Sequence, residues 1–176
     1  MTKDAAQRRT THCIYFVAMG APLFTKPSKE VMIMPVRMAN AIWEGDLKDG
    51  KGRMKLGSGA FEGAYSFSSR FEEGAGTNPE ELIGAALAGC FSMALAHGLA
   101  QSGYPPKRIH TTARVKIEKI DEGFKITSIA LDTEAEVPGI GEQTFIENAE
   151  ITKKTCPVSK ALTGTEIKLQ ARLVNK

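Results

Sequence analysis

The chain lacks several features that mark specialised classes of protein: it has few cysteines, a small net charge and only a short apolar run near its N-terminus. Its 176 residues contain only three cysteines, too few for a secreted disulfide scaffold, so a reducing compartment is expected. Its net charge is only +3, and its lysines and arginines form no stripe, which argues against nucleic-acid binding. The apolar run at 13–19 is far too short to span a bilayer. We therefore expect a cytoplasmic protein that binds neither nucleic acid nor membrane.

The chain divides into an N-terminal extension and one folded domain. Hydrophobic residues make up 42% of the chain and charged residues 24%, which is an ordinary globular composition. Near the N-terminus, basic residues precede a short apolar run, as in a secretory signal, but Gly20 and Pro22 interrupt it and no clean cleavage site follows. We expect residues 1–37 to be an extension, in which Cys13 has no function, and residues 38–176 to form the domain.

The periodicity of apolar residues predicts a mixed α+β domain. Alternation of apolar and polar residues predicts strands, and longer apolar runs predict helices. The turn sequence Asp121-Glu122-Gly123 joins two of the strands into a hairpin. The predicted strands are 39–43, 53–56, 65–68, 111–119, 124–131 and 166–173, and the predicted helices are 79–100, 142–154 and 156–162.

The helix predicted over 79–100 has a well-marked start. Thr77 or Asn78 can cap it, Pro79 suits its first position, and glutamates at 80 and 81 lie where the helix dipole favours negative charge. Because its faces are nearly all apolar or small, we expect this helix to be central and buried. Four small residues would let another helix, from a second subunit, approach closely: Gly84, Ala85, Ala88 and Gly89.

Cys156 stands directly before Pro157 and can occupy a helix N-cap. Free backbone N–H groups and the helix dipole stabilise a thiolate there, and Lys153 and Lys154 add positive charge nearby. A small capping residue without a chemical role explains the same position equally well. From local chemistry alone, both interpretations of Cys156 stay open.

Cys90 lies in the middle of the apolar helix, where a cysteine is usually an inert hydrophobic residue with a raised pKa. To react, it would need a cation brought from elsewhere in the fold. Arginine is the natural choice because it stays protonated when buried, and Arg70 and Arg53 are the candidates. A buried arginine would in turn need a carboxylate partner.

A longer pattern, residues 70–95, resembles the signature of the OsmC/Ohr family. This family comprises osmotically inducible protein C and the organic hydroperoxide resistance proteins. Shorter matches at 43–46, 137–140 and 156–159 extend the resemblance over residues 38–176. It looks closer to the OsmC branch than to Ohr because Arg70 precedes Phe71 in the strand just before the glycine loop.

The resemblance implies an α+β fold with antiparallel sheets wrapped around a long buried central helix, in an intertwined homodimer. It implies an antioxidant enzyme of the stress response, a thiol peroxidase that reduces organic hydroperoxides and, less well, hydrogen peroxide. Cys90 then resembles the peroxidatic cysteine, Cys156 the resolving cysteine, Arg70 the residue that activates the thiolate and Glu80 the carboxylate that holds the arginine. Arg53 has no counterpart and is expected to be a solvated strand residue.

No bound cofactor is implied by the resemblance. The resemblance implies a Cys90–Cys156 disulfide, which an external thiol or dithiol such as a lipoyl-type compound would reduce. His97 follows Cys90 by two helical turns, but two ligands do not make a zinc site, so we expect a packed histidine and no metal. The apolar residues around Cys90 are expected to belong to the core: Leu87, Phe91, Met93 and Leu95.

The spacing of Glu80 and Cys90 constrains how the charged pair reaches the thiol. They are ten residues apart, which is roughly 15 Å along a straight helix. We therefore expect Arg70 and Glu80 to act across the dimer interface on the partner's Cys90. Two other functions stay open: a general thiol–disulfide oxidoreductase centred on Cys156, and a non-catalytic dimeric binding protein.

Overall fold

The computed structural model describes residues 34–174 of the chain. Cys13 and most of the predicted extension lie outside the described residues, and the boundary at residue 38 stays a prediction. Six strands and four helices follow one another: β1 Ala39–Glu44, β2 Lys51–Leu56, β3 Glu62–Ser66, α1 Phe67–Phe71, α2 Pro79–Gln101, β4 Arg108–Ile120, β5 Gly123–Glu136, α3 Glu142–Thr155, α4 Pro157–Ala161 and β6 Glu166–Leu173. The α+β class predicted from the sequence is confirmed.

The strands form two three-stranded sheets, ordered β1-β2-β3 and β4-β5-β6. The first sheet and the β4–β5 pair are antiparallel, as predicted. The prediction is wrong for β6, which pairs with β5 in parallel. The physical reason is the connection between the two strands. Because α3 and α4 lie between β5 and β6, the chain returns to the end of the sheet where β5 begins, and β6 then runs in the same direction as β5.

A short helix replaces the end of one predicted strand. Alternation over 65–68 predicts a strand, but β3 ends at Ser66 and α1 begins at Phe67. Ser66 caps this helix, since its side chain accepts from the backbone N–H of Ser69 while Ser69 Oγ accepts from the backbone N–H of Ser66. Arg70 therefore lies in a helix, not in the strand predicted for it.

The core lies between one face of α2, the second sheet and the helices α3 and α4. Four large side chains of α2 are fully buried and recur at intervals of four residues: Leu87, Phe91, Leu95 and Leu99. Gly84 of the same helix faces β4, where an added Cβ would lie 3.3 Å from Val115 Cγ2. The glycine therefore lets the helix approach the sheet of its own chain.

The opposite face of α2 is exposed within one chain, which differs from the prediction of a buried helix. Ala85 and Gly89 are exposed, Met93 is 77% exposed, and His97 is exposed instead of packed. Met93 is thus no core residue, unlike Leu87, Phe91 and Leu95. Among the described residues, α2 alone is long and apolar enough to cross a membrane, and the core helix of a soluble protein meets the same criteria.

Candidate active site

The structure brings the two cysteines of the domain together. Cys90 lies on α2 and Cys156 at the junction of α3 and α4, and their Sγ atoms are 3.0 Å apart. Both are free thiols; Cys156 is fully buried and Cys90 is half-buried. A disulfide requires sulfur atoms about 2.05 Å apart, so a small movement joins them. Two residues that are 66 positions apart in the chain thus form one reactive pair.

Pro157 is the local reason for the position of Cys156. A residue before proline avoids the helical region, and Cys156 has φ −54° and ψ 126°, which ends α3 and begins α4. Its backbone N–H donates to the carbonyl of Thr152 and its carbonyl accepts from Lys160, so it belongs to both helices. The predicted N-cap position of Cys156 is confirmed.

The surroundings of the two thiols differ in their effect on ionisation. Burial, followed by the contact with Cys156, raises the pKa of Cys90, against a smaller opposing effect of the backbone N–H of Val158. Burial would also raise the pKa of Cys156, but donors able to stabilise its thiolate outweigh burial and lower that pKa. These donors are Cys90, the backbone and side chain of Ser159, and the backbone of Val158. Within one chain, Cys156 is therefore the more acidic thiol of the pair.

Arg70 and Glu80 form the second element of the predicted site. Arg70 Nη2 lies 2.8 Å from Glu80 Oε1, and Arg70 Nε lies 3.2 and 3.3 Å from the two carboxylate oxygens. The Glu80 side chain is only 8% exposed and that of Arg70 is 35% exposed. A fork-like pair of this kind fixes the guanidinium in one orientation. The ion pair therefore fixes the positive charge of Arg70 at the first turn of α2.

Hydrogen bonds between α1 and α2 hold this ion pair in place. Asn78, which caps α2 by accepting from the backbone N–H of Glu81, also donates to the carbonyl of Ser69. Ser69 Oγ donates in turn to the carbonyl of Thr77. Gly76 between the helices has φ 123°, and a Cβ there would lie 2.7 Å from the carbonyl oxygen of Ala64. The turn between α1 and α2 thus requires glycine at position 76, and this turn places Arg70 next to Glu80.

Aromatic rings line one side of Arg70. Its guanidinium carbon lies 5.1 Å from the centroid of the Phe71 ring, within the range of a cation–π contact. Phe71 in turn touches Phe67 and Phe124, at centroid distances of 5.0 and 4.7 Å. Phe124 comes from the β4–β5 hairpin and is 54% exposed. Nothing in the sequence points to Phe124, because no local pattern connects it with Arg70.

A cavity of about 250 Å³ opens beside the ion pair. Its lining residues are Arg70, Asn78, Glu80, Glu81, Ala113, Val115 and Ile117. Neither cysteine lines it, since Cys90 lies ten residues further along α2 than Glu80. One chain therefore places the thiol pair and the arginine–glutamate pair at separate points of the same helix.

Other cationic candidates have partners of their own. Arg53 is 63% exposed and lies 3.0 Å from Glu62, as expected for a solvated strand residue. Lys153 pairs with Glu150 at 2.7 Å, and its predicted effect on Cys156 stays a prediction. Within residues 34–174, no group of three or more histidine, cysteine, aspartate or glutamate side chains is arranged to hold a metal ion.

The chain is similar to known proteins in both sequence and structure. A family model described as OsmC-like protein matches residues 72–171. Peroxiredoxin OsmC of Escherichia coli (strain K12) is 49% identical over 138 residues, which cover 78% of this chain and 96% of that protein. A crystal structure of an organic hydroperoxide resistance protein OsmC from Legionella pneumophila aligns with a TM-score of 0.61 at 22% identity, over 79% of this chain and 98% of the other. OhrB of Bacillus subtilis aligns with a TM-score of 0.59 at 22% identity, over 77% and 98%.

Proposed function

The chain belongs to the OsmC family, on its OsmC branch, and from that premise we propose that Cys90 and Cys156 are the two thiols of its catalytic cycle. It is a thiol-dependent peroxidase that acts on hydroperoxides. The observation that carries the proposal is the 3.0 Å separation of the two sulfur atoms, because it permits an intramolecular disulfide without rearrangement of the fold.

The cycle has two covalent steps before reduction. The Cys90 thiolate attacks the distal oxygen of the hydroperoxide, the O–O bond breaks, and the alcohol leaves after taking up a proton while Cys90 becomes a sulfenic acid. The Cys156 thiolate then attacks the Cys90 sulfur, the S–O bond breaks, and the hydroxide leaves as water after protonation. Two electrons from an external dithiol, or from two thiols, restore the free cysteines.

Cys90 attacks in this scheme although Cys156 is the more acidic thiol of the isolated chain. The half-buried Cys90 is accessible to a substrate, whereas Cys156 is fully buried. A cation beside Cys90 would reverse the order of ionisation by stabilising its thiolate. The Cys156 thiolate, 3.0 Å away, can then accept the proton of Cys90.

Arg70 of the partner subunit supplies that cation in our proposal. Each chain holds a fixed arginine at the start of α2 and a thiol pair about 15 Å further along the same helix. A two-fold axis across α2 would bring the arginine of one chain to the thiol of the other. The Phe67, Phe71 and Phe124 rings beside Arg70 would then favour organic hydroperoxides over hydrogen peroxide.

A homodimer is further supported by two faces that residues 34–174 leave uncovered. The exposed face of α2 carries small or apolar side chains, and a Cβ at Gly89 would meet nothing within 4 Å. Among the described elements, the β1-β2-β3 sheet has α1 as its main neighbour outside the sheet, and Ile42 on it is 65% exposed. A second copy that packs α2 on α2 and covers this sheet would produce the intertwined arrangement.

Met93 at the centre of the exposed α2 face offers a test of the dimer. We expect Met93→Asp to convert the protein to monomers, because two buried carboxylates would face each other across a two-fold axis. Analytical ultracentrifugation measures the result. Ile151→Asp, which alters an equally apolar side chain on α3 that is 60% exposed, is the control and should remain dimeric. A dimeric Met93→Asp protein would refute this interface.

The reductant is proposed to be a small dithiol, with lipoyl-type compounds as the first candidates. Cys90 is the half-exposed end of the disulfide, so an incoming thiolate would attack there and release Cys156. A cytoplasmic location would suit this chemistry because the cytosol maintains reduced thiols.

An activity assay tests the proposed function. The full chain should consume cumene hydroperoxide and tert-butyl hydroperoxide faster than hydrogen peroxide when a dithiol is present. Loss of hydroperoxide is measured directly, with the protein denatured by heat as the control. A folded protein that turns over no hydroperoxide with monothiols, dithiothreitol or dihydrolipoamide would contradict the function.

A further inference from the structure

Ser159 carries a hydroxyl group that the fold buries. The residue is 6% exposed, and among the described residues its Oγ completes no hydrogen bond. Burying a hydroxyl without a partner is unfavourable, so such a group in a folded protein calls for an explanation. Ser159 follows Cys156 by three residues and lies on the first turn of α4.

The same spacing at α1 shows what a serine in this position ordinarily does. There Ser66 is the capping residue, and Ser69, three residues later, accepts the backbone N–H of Ser66 through its Oγ. At α4 the corresponding donor is already engaged, because the backbone N–H of Cys156 bonds to the carbonyl of Thr152 at 2.9 Å. Ser159 therefore cannot form the reciprocal bond, and as the third residue of α4 it lies on the same turn as the capping cysteine.

We propose that the Ser159 hydroxyl donates a hydrogen bond to the sulfur of Cys156 whenever that sulfur is a thiolate, and so speeds the resolving step. This inference rests on the proposed function, in which Cys156 attacks the oxidised Cys90. In the dithiol the hydroxyl completes no hydrogen bond to a described residue, and a neutral thiol would be a weak acceptor for it. A thiolate is a charged acceptor, and hydrogen bonds to charged groups are about twice as strong as those between neutral groups.

The share of Ser159 in stabilising the Cys156 thiolate increases after Cys90 is oxidised. In the resting pair, the thiol of Cys90 also stabilises a Cys156 thiolate, and the Ser159 side chain adds to the lowering of the Cys156 pKa. Once Cys90 is a sulfenic acid its S–H donor is gone, and the Ser159 hydroxyl can still donate to the Cys156 thiolate. The same bond would assist reduction, since a thiolate that is better stabilised leaves the disulfide faster.

Ser159→Ala tests the inference through the resolving step alone. Wild type and variant are mixed with one equivalent of cumene hydroperoxide, quenched at intervals, and analysed by mass spectrometry for Cys90 sulfenic acid and for the disulfide. We expect resolution near neutral pH to slow by about ten-fold, and its pH midpoint to rise by about one unit, from loss of a hydrogen bond to a charged group. Formation of the sulfenic acid should keep its wild-type rate.

Ser92→Ala is the matched control. Ser92 is a half-buried serine whose Oγ donates to Thr111 Oγ1 at 2.8 Å. Its removal should lower thermal stability without moving the pH midpoint of resolution, whereas Ser159→Ala should melt no lower than wild type because its hydroxyl has no partner in the dithiol. A stable Ser159→Ala protein with an unchanged pH midpoint would overturn the inference alone. Absence of any sulfenic acid in the wild type would overturn the proposed function with it.

Discussion

Cys90→Ser is expected to reduce hydroperoxide turnover by roughly 10³-fold or more, because a serine hydroxyl is not ionised near neutral pH and is a poor nucleophile towards a peroxide oxygen. The fold should tolerate the change, since Cys90 is half-buried and oxygen is smaller than sulfur. Steady-state consumption of cumene hydroperoxide with a dithiol measures the loss. Circular dichroism and thermal melting verify that the variant is folded.

Cys156→Ser separates the attack on the hydroperoxide from the resolving step. It should still react with the first equivalent of hydroperoxide, but the Cys90 sulfenic acid should persist and be trapped by dimedone, because no second thiol lies beside it. Cys13→Ser should behave as wild type. If Cys90→Ser retained activity on protein disulfides that depended on Cys156, the general oxidoreductase function would replace the peroxidase cycle.

Arg70→Ala is expected to lower turnover by roughly 10²-fold, the typical effect of removing a group that stabilises charge in a transition state. Arg70→Lys should recover only part of the loss, because lysine lacks the fork with which arginine binds both oxygens of Glu80. Turnover of tert-butyl hydroperoxide measures both. Arg53→Ala, which removes an exposed arginine paired with Glu62, is the control and should retain full activity.

Mixed dimers locate the site at which Arg70 acts. Each dimer combines one Cys90→Ser subunit with one Arg70→Ala subunit, so an intact Cys90 and an intact Arg70 are always on different chains. If the arginine acts across the interface, one of the two sites is complete and about half of the wild-type activity returns. If the mixed dimers stay as inactive as the parents, the cross-subunit arrangement is wrong.

The sequence predicted best those features that local physics decides. Asn78, Pro79 and the glutamates after them mark the start of α2, and the structure begins the helix at Pro79. Pro157 breaks the chain after Cys156 whatever the rest of the fold does, so the cap position was predictable. By contrast, the alternation over 65–68 predicts a strand, and the exchange of hydrogen bonds between Ser66 and Ser69 overrides it.

Local sequence patterns could not predict the features that tertiary packing determines. The parallel pairing of β6 depends on the return of the chain through α3 and α4, not on the alternation of β6 itself. The meeting of Cys90 and Cys156 joins two helices across 66 positions, and only the family resemblance indicated it. Phe124 and Ser159 carry no signal of their own, because the role of each follows from what the fold places beside it.

Formation of a Cys90–Cys156 disulfide in each cycle is measured by the mass and thiol count of the protein after one equivalent of hydroperoxide. We predict loss of two thiols per chain, a disulfide-linked pair of peptides that contain Cys90 and Cys156, and a free Cys13. An unchanged thiol count in a folded protein would rule out this disulfide, as would a disulfide that includes Cys13.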